Sequence, residues 1–245
     1  MHFLQSRFFS LLQKFLVCIC VAFPFFKLPL YSLSIKDKFL RGHIGDFIVW
    51  KYGKSFILVR LASLSPLSLE EISFSSLPTQ KWNEWLLAKA PGHTSWSILY
   101  VDVQNNAITE AFSFTKNLWF RPQDDSSIWK NIFNAPLQKI PDQQRKKMGS
   151  PPLHKDDPDH RKIWVPSLIF QGTKNSHPSY EALQIFCPQK CSALANAHIE
   201  LFFDASNPTF PFPYWVQITN PTGIAAKFFA VDSGINLFSP QKIPL

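Results

Sequence analysis

The chain has little glycine, only eight residues in 245. Nucleotide-binding loops of the Rossmann and P-loop types need glycines at fixed spacings, and neither G-x-G-x-x-G nor G-x-x-x-x-G-K-[ST] occurs. The sequence therefore predicts no bound cofactor. Proline is plentiful at 20 residues, which indicates many short elements and strands that lie near the edges of sheets.

Clustered charge is also scarce. Lys and Arg number 25 against 17 Asp and Glu, for a formal net charge of +8, and the densest basic run (RKKMG, 145–149) has three bases. Nucleic-acid binding needs a stronger basic patch and is not expected. A mild basic excess suits an anionic surface, so peripheral association with a membrane or the cell envelope is compatible with the sequence.

Apolar residues are abundant, at 46% of the chain with 24 Phe and 8 Trp. Such a composition excludes wholesale disorder and provides the core of one moderate domain or two small ones.

The amino-terminal segment has the features of an export signal. Arg7 and Lys14 precede the apolar run FLVCICVAFPFF and a small-residue exit, KLPLYSLS. We expect residues 1–34 to form a signal peptide cut after Ser34, which places the protein in the periplasm or outside the cell. Lys27 lies between the apolar run and the cut, so an uncleaved amino-terminal anchor is the alternative.

The remaining sequence is typical of sheets. Aromatic and β-branched runs predict strands at 47–50 and 56–59, and QNN at 104–106 predicts a hairpin turn. Helices are expected at 81–89, capped by Thr79, and at 128–133. The predicted fold is mainly β (α+β), with antiparallel sheets and two or three short helices.

The predicted domain organisation has two β-rich units, 35–140 and 163–245, joined by the polar, proline-containing connector 141–162. SILYVDVQNN and IELFFDASNP share an apolar strand, an aspartate (Asp102 or Asp204) and a polar turn. This similarity suggests two related sheet units.

Cys187 and Cys191 are the cysteines that would remain after cleavage. On a helical turn, residues four apart lie roughly 6 Å apart, within the range of a disulfide. Three alternatives stay open: a disulfide between them, two buried thiols, or a reactive cysteine.

Three segments resemble permuted papain-like cysteine hydrolases: GDFIVW (45–50), GHTSWSILYVD (92–102) and CSALA (191–195). The resemblance implies Cys191 as nucleophile, His93 as its base and Glu110 as the group that orients the ring. The implied reaction is hydrolysis or transfer of an amide or acyl group through a thioester. From the residues alone, His93 is a hydrogen-bonding turn residue after Pro91–Gly92.

Two further segments have distinctive compositions. HKDDPDH (154–160) mixes His and carboxylates, but a proline-broken loop lacks the helical spacing of a zinc site, so no metal site is expected. FPFPYWVQI (210–218) offers Phe210, Phe212, Tyr214 and Trp215 as the lining of an apolar ligand groove. The alternative is a proline-limited edge strand whose aromatic side chains pack inward.

Taken together, GDFIVW, APGHTSW, FPFPYWVQI and VDSG resemble uncharacterised exported proteins of chlamydia-type intracellular bacteria. The predicted function is non-enzymatic binding or scaffolding in the cell envelope, with an apolar ligand, a lipid or an envelope protein as partner. The alternative is the thiol hydrolase or acyltransferase that uses Cys191 and His93.

Overall fold

A computed structural model of the chain describes residues 33–105, 107–121, 133, 135–152, 154, 157–187 and 194–242. The predicted leader, except its last two residues, and the predicted helix at 128–133, except Phe133, lie outside these residues. Within them the chain forms the following elements in order: α1 (Ile35–Arg41), β1 (Phe47–Tyr52), β2 (Ser55–Leu64), β3 (Leu67–Phe74), α2 (Trp82–Leu87), β4 (His93–Asp102), β5 (Ala107–Ser113), β6 (Leu118–Phe120), β7 (Gln138–Lys139), a 3₁₀ turn (Asp142–Gln144), β8 (Ile169–Phe170), β9 (Thr173–Lys174), β10 (Tyr180–Phe186), β11 (His198–Asp204), β12 (Trp215–Asn220) and β13 (Gly223–Gly234).

One antiparallel sheet of 11 strands dominates the structure, in the order β6-β5-β4-β3-β2-β1-β13-β12-β11-β10-β7, and β8 pairs with β9. The predicted fold class is therefore confirmed. The last strand, β13, returns to pair with β1 from Phe47↔Gly234 onward, so both halves of the chain contribute to the same sheet. Asp102 and Asp204 each end a strand and accept backbone N–H groups of the following turn. Whether the halves are related units stays a prediction.

Alternating side chains give the sheet two faces. On the face that we call the α1 face, Ile48, Trp50 and Leu61 pack in the main core with Ile35 and Phe39 of α1. On the opposite face, the α2 face, Phe47, Val49 and neighbouring residues form a second core with Trp85 and Leu86 of α2. Because both faces are covered near the centre, the central strands are apolar on both sides.

The folded unit starts before α1. Ser34 caps this helix in a capping box, in which its Oγ accepts from the Asp37 N–H and the Asp37 carboxylate accepts from the Ser34 N–H at 2.8 Å. The Leu33 carbonyl accepts the N–H of Leu137 at 2.8 Å. Leu33 and Ser34 are thus part of the folded unit, although Ser34 was expected to end the leader.

The second helix differs from its prediction in its start and cap. It begins at Trp82 after Lys81, which provides no side-chain cap, so Thr79 is not its cap. Tertiary hydrogen bonds hold this short helix instead. The Trp82 indole donates to Asp232 at 2.7 Å, and the Asn83 amide oxygen accepts from the Phe238 N–H at 2.9 Å.

A tight turn leads into β1 beside the carboxyl-terminal segment. Gly45 has a φ of +92°, and a Cβ there would lie 3.1 Å from the Asn236 Cα, so glycine is required at this position. Asp46 is buried and accepts the His43 N–H at 2.8 Å through Oδ2, while its Oδ1 has no partner among the described atoms. Burial raises the pKa of the Asp46 carboxyl above its usual value.

A buried polar network ties β2, β3 and β4 to the carboxyl-terminal segment. Arg60 Nε donates to Glu70 at 2.7 Å, and both side chains are buried. The other oxygen of Glu70 accepts from the Trp96 indole at 2.8 Å and from the Ser239 hydroxyl at 2.6 Å. Every ionic group in this network therefore has a partner, as buried charge requires.

The connector 141–162 folds back onto the sheet. Residues 146–148 pair with 162–164 through a Lys147↔Ile163 bridge and two backbone hydrogen bonds of 2.7 and 2.8 Å. Asp159 pairs with Lys147 and Arg161 at 2.7 and 2.9 Å, and these hydrogen bonds hold the pKa of its carboxyl well below the usual range. In the described part of the chain, no helix is long and apolar enough to cross a bilayer.

Candidate functional site

His93 lies at the first position of β4 and is tied to the preceding turn. Its Nδ1 is 2.9 Å from the Ala90 carbonyl, and its ring contacts Trp96 edge-on at 5.6 Å. Lys89, Ala90 and Gly92 all have positive φ, so the chain turns sharply here. This environment matches the interpretation of His93 as a turn residue.

The structure does not bring Glu110 to His93. Glu110 on β5 pairs with Tyr100, which lies seven residues along β4 from His93. This separation is roughly 23 Å at the rise of a strand. Cys191 lies outside the described residues, so its role as the nucleophile of a thiol enzyme stays a prediction.

Cys187 is buried and follows β10, where its N–H donates to the Ala197 carbonyl at 2.9 Å. It therefore lies at the end of a strand, and Cys191 lies outside the described residues. The disulfide with Cys191 remains a prediction.

Three residues of the predicted apolar groove fill the main core. Phe212 contacts Phe39 at 5.3 Å and Trp50 at 6.1 Å between ring centroids, and Phe210 packs on Phe212 at 5.7 Å. Tyr214 shares a hydrogen bond of 2.8 Å with the Ser233 hydroxyl, and burial raises the pKa of its phenol. These three side chains are at most 3% exposed, so they do not line an open groove as expected.

Trp215 is the exception, because it lies half-buried on the α2 face. It belongs to a line of directly paired residues on five adjacent strands, which we call the aromatic row: Phe56, Lys51, Phe229, Trp215 and Phe202. The Lys51 ammonium lies 5.8 Å from the Phe56 ring and 5.9 Å from the Phe229 ring. The row is thus an aromatic strip that is partly exposed except at Phe202 and carries a cation, Lys51, at its second position.

A second line of paired residues lies two positions along β13, β12 and β11, at roughly 7 Å, and continues onto β10. This polar row consists of Lys227, Gln217, Glu200 and Gln184. An apolar floor beside hydrogen-bonding groups is the usual arrangement of a small-molecule site.

Trp164 follows the folded-back connector and covers the end of the aromatic row at Trp215 and Phe202. Its indole meets Trp215 at 4.9 Å and Phe202 at 5.8 Å in edge-to-face contacts. Two adjoining hollows result, which we call the Trp164 groove. One, of about 390 Å³, is lined by residues that include Trp164, Val165, Trp215, Lys227 and Phe229. The other, of about 180 Å³, lies between the same two tryptophans and Arg145, Lys146, Glu200, Phe202 and Gln217.

Positive charge predominates in the groove. Arg145, Lys146 and Lys227 line it, against Glu200 as the one acid among its described lining residues. The guanidinium of Arg145 lies 5.7 Å from the Phe202 ring, and the Lys146 ammonium lies 5.2 Å from the Trp164 ring. Stacking on these rings positions both cations at the smaller hollow.

No group of His, Cys, Asp and Glu in the described part of the chain is arranged to hold a metal ion. His154 and Asp157 of the mixed His-carboxylate segment lie at the exposed end of the connector hairpin, where Asp157 accepts the His154 N–H at 3.3 Å.

The chain resembles a chlamydial protein family. The family model described as CT021 protein matches residues 55–176, a segment that includes Arg145, Lys146 and Trp164. The structure of the hypothetical protein CT021 from Chlamydia trachomatis aligns over 87% of this chain and 98% of that chain, with 19% identity and a TM-score of 0.59. The resemblance to chlamydial proteins is thereby confirmed, and the structural match shows the same fold.

A second structure has a lower similarity. A domain described as an outer membrane lipoprotein-sorting protein, from Vibrio parahaemolyticus, aligns over 84% of this chain and 92% of that chain, with 7% identity and a TM-score of 0.31. A score this low does not establish a shared fold. No curated protein matches the chain.

Proposed function

We propose that this protein is a non-enzymatic binding protein of the cell envelope, and that the Trp164 groove holds the apolar part of an amphiphilic ligand. The observation that carries the proposal is the aromatic row, which stays partly open on the α2 face under the half-buried Trp164. The envelope location rests on the character of residues 1–34 and remains part of the proposal.

The groove has the features expected of such a site. Phe229 is 39% exposed, and Trp164 and Trp215 are each half-buried, so their rings retain area that a ligand would remove from water. Aromatic side chains in concave positions contribute most of the binding energy in many interfaces. A ligand that covers the roughly 40% of a ring still exposed gains about 40% of the 1.5–3 kcal/mol for full burial, or about 0.6–1.2 kcal/mol, which is several-fold in affinity.

A neutral amphiphile tests the proposal without contributions from ionic attraction. Octaethylene glycol monododecyl ether, titrated below its critical micelle concentration, is expected to bind the wild-type protein by isothermal titration calorimetry. Trp164→Ala and Phe229→Ala should each weaken binding several-fold, by roughly three- to eightfold. Phe229→Ala is included because Phe229 is more exposed than Trp164, so its removal disturbs the packing less.

Trp119→Ala provides the matched control. Trp119 is 45% exposed on β6, seven strands from β12 in the sheet and so roughly 34 Å away. This variant should bind as the wild type does. Equal losses in Trp119→Ala and Trp164→Ala, or no binding by the wild type, would refute a site at the groove.

A further inference from the structure

We propose that the smaller hollow of the Trp164 groove is a subsite for an anionic head group, so that the ligand is a single-chain amphiphile with a phosphate-like head. This inference rests on the proposed function, because it assumes that the apolar part of the same molecule lies against Trp164, Trp215 and Phe229. It adds the chemistry of the head group, on which the function itself does not depend.

The first support is charge complementarity. Arg145 and Lys146 approach the smaller hollow from the connector, and Lys227 lies at the polar row beside Gln217. Glu200 lines the same hollow, and Asp142 lies outside it, 68% exposed and 3.3 Å from Arg145 Nη1. Arg145 and Lys146 outnumber Glu200 in the lining of the smaller hollow, and Lys227 of the larger hollow adds a third positive charge, so a negatively charged head gains more from this groove than a neutral one.

The second support is an unused donor. The side chain of Arg145 is only 12% exposed, and its Nε atom is buried without a hydrogen-bond partner among the described atoms. A buried donor without a partner is costly, and native proteins rarely retain one without a reason. An oxyanion that accepts from this guanidinium would satisfy the donor with a charge-assisted hydrogen bond.

The third support is the fixed position of the cations. The Lys146 carbonyl accepts the Trp164 N–H at 2.7 Å, and the Met148 N–H donates to the Lys162 carbonyl at 2.8 Å. These bonds join Lys146 to the strand-like segment that carries Trp164. The apolar cover and the cations therefore belong to one backbone unit, which suits a ligand with an apolar part next to a charged part.

Head-group charge can be varied at constant chain length. Dodecyl phosphate is expected to bind about eightfold more tightly than octaethylene glycol monododecyl ether at low salt, because three partly exposed ion pairs contribute roughly twofold each. The difference should shrink as ionic strength rises. Dodecyltrimethylammonium, with a cationic head, should bind more weakly than the neutral ether.

Charge-reversal variants locate the effect. Lys146→Glu and Lys227→Glu, both at exposed positions, should each reduce affinity for dodecyl phosphate several-fold, and by clearly more than any change in affinity for the neutral ether. Lys116→Glu, at an exposed position in the turn between β5 and β6, is the matched control and should change neither. A loss of neutral-ether binding in Lys146→Glu would indicate structural damage and would overturn the electrostatic role.

The remaining outcomes separate the two proposals and the source of the anion. If both amphiphiles bind equally, the subsite is wrong and the binding function stands; if neither binds, the function itself fails. Displacement of dodecyl phosphate by millimolar inorganic phosphate would indicate a site for the free ion. Binding to phosphatidylglycerol vesicles without binding of monomeric dodecyl phosphate would indicate docking on a membrane. Either of these last two results would overturn the proposed ligand.

Discussion

Glu70→Gln should destabilise the fold far more than its small change in shape suggests. The substitution keeps the volume but removes the negative charge that faces Arg60 at 2.7 Å, in a site where the two side chains are 2% and 11% exposed. Removing one partner of a buried ion pair typically costs about 3–5 kcal/mol, because the other charge stays buried without compensation. The retained amide oxygen still accepts from Trp96 or Ser239, so we expect about 3 kcal/mol.

Urea unfolding followed by far-UV circular dichroism measures this loss, with an unchanged m-value as the sign that only stability is altered. Glu84→Gln, on the exposed side of α2, is the control and should remain within about 0.5 kcal/mol of the wild type. The double variant Arg60→Met, Glu70→Gln should recover much of the stability, since it removes both charges and keeps an amide oxygen that accepts from Trp96 or Ser239. A loss below about 1 kcal/mol in Glu70→Gln would refute the network as a buried and fully paired site.

Two further predictions concern the turns that begin α1 and β1. Ser34→Ala should lower the free energy of unfolding by about 1 kcal/mol in the same assay because it removes the capping box of α1. Because Leu33 and Ser34 belong to the folded unit, a leader cleaved during export should end before Leu33. The mass of the mature protein measures this, and a mature chain that begins at Ile35 would contradict it. Asp46 has a raised pKa when folded, so its protonated form contributes stability that is present below the unfolded value near 3.8 and lost as the pH rises through the folded pKa. The stability of Asp46→Asn should therefore depend less on pH above about 4 than that of the wild type, and at pH 7 the variant should be at least as stable. A loss of stability above about 1 kcal/mol at pH 7 would contradict this.

The strands that could be predicted from the sequence are those rich in aromatic and β-branched residues. FIVW and FILV correspond to β1 and β2, and QNN marks the turn between β4 and β5. β3 was not expected as a strand, because Glu70 and Glu71 interrupt its apolar pattern. The structure explains the discrepancy, since Glu70 lies in the buried network and Leu69 and Ile72 pack on opposite faces.

The candidate site was only partly visible in the sequence. FPFPYWVQI drew attention to Trp215, but Phe210, Phe212 and Tyr214 lie in the core on the other side of the backbone. The aromatic row depends on the pairing of β2, β1, β13, β12 and β11, which are distant in the chain, so no local pattern indicates it. Trp164, in IWVP just after a polar connector, was a weak signal that such a connector folds back over a sheet.

The most direct test of a ligand site at the Trp164 groove is a titration with dodecyl phosphate followed through the indole N–H resonances of the protein, assigned by Trp→Phe variants. The signals of Trp164 and Trp215 are expected to shift with saturable dependence on ligand. The signals of Trp85 and Trp96, which are 2% and 1% exposed in the core between α2 and the sheet, should not shift. Unchanged Trp164 and Trp215 signals, or larger shifts at Trp85 and Trp96, would contradict a binding site at the Trp164 groove.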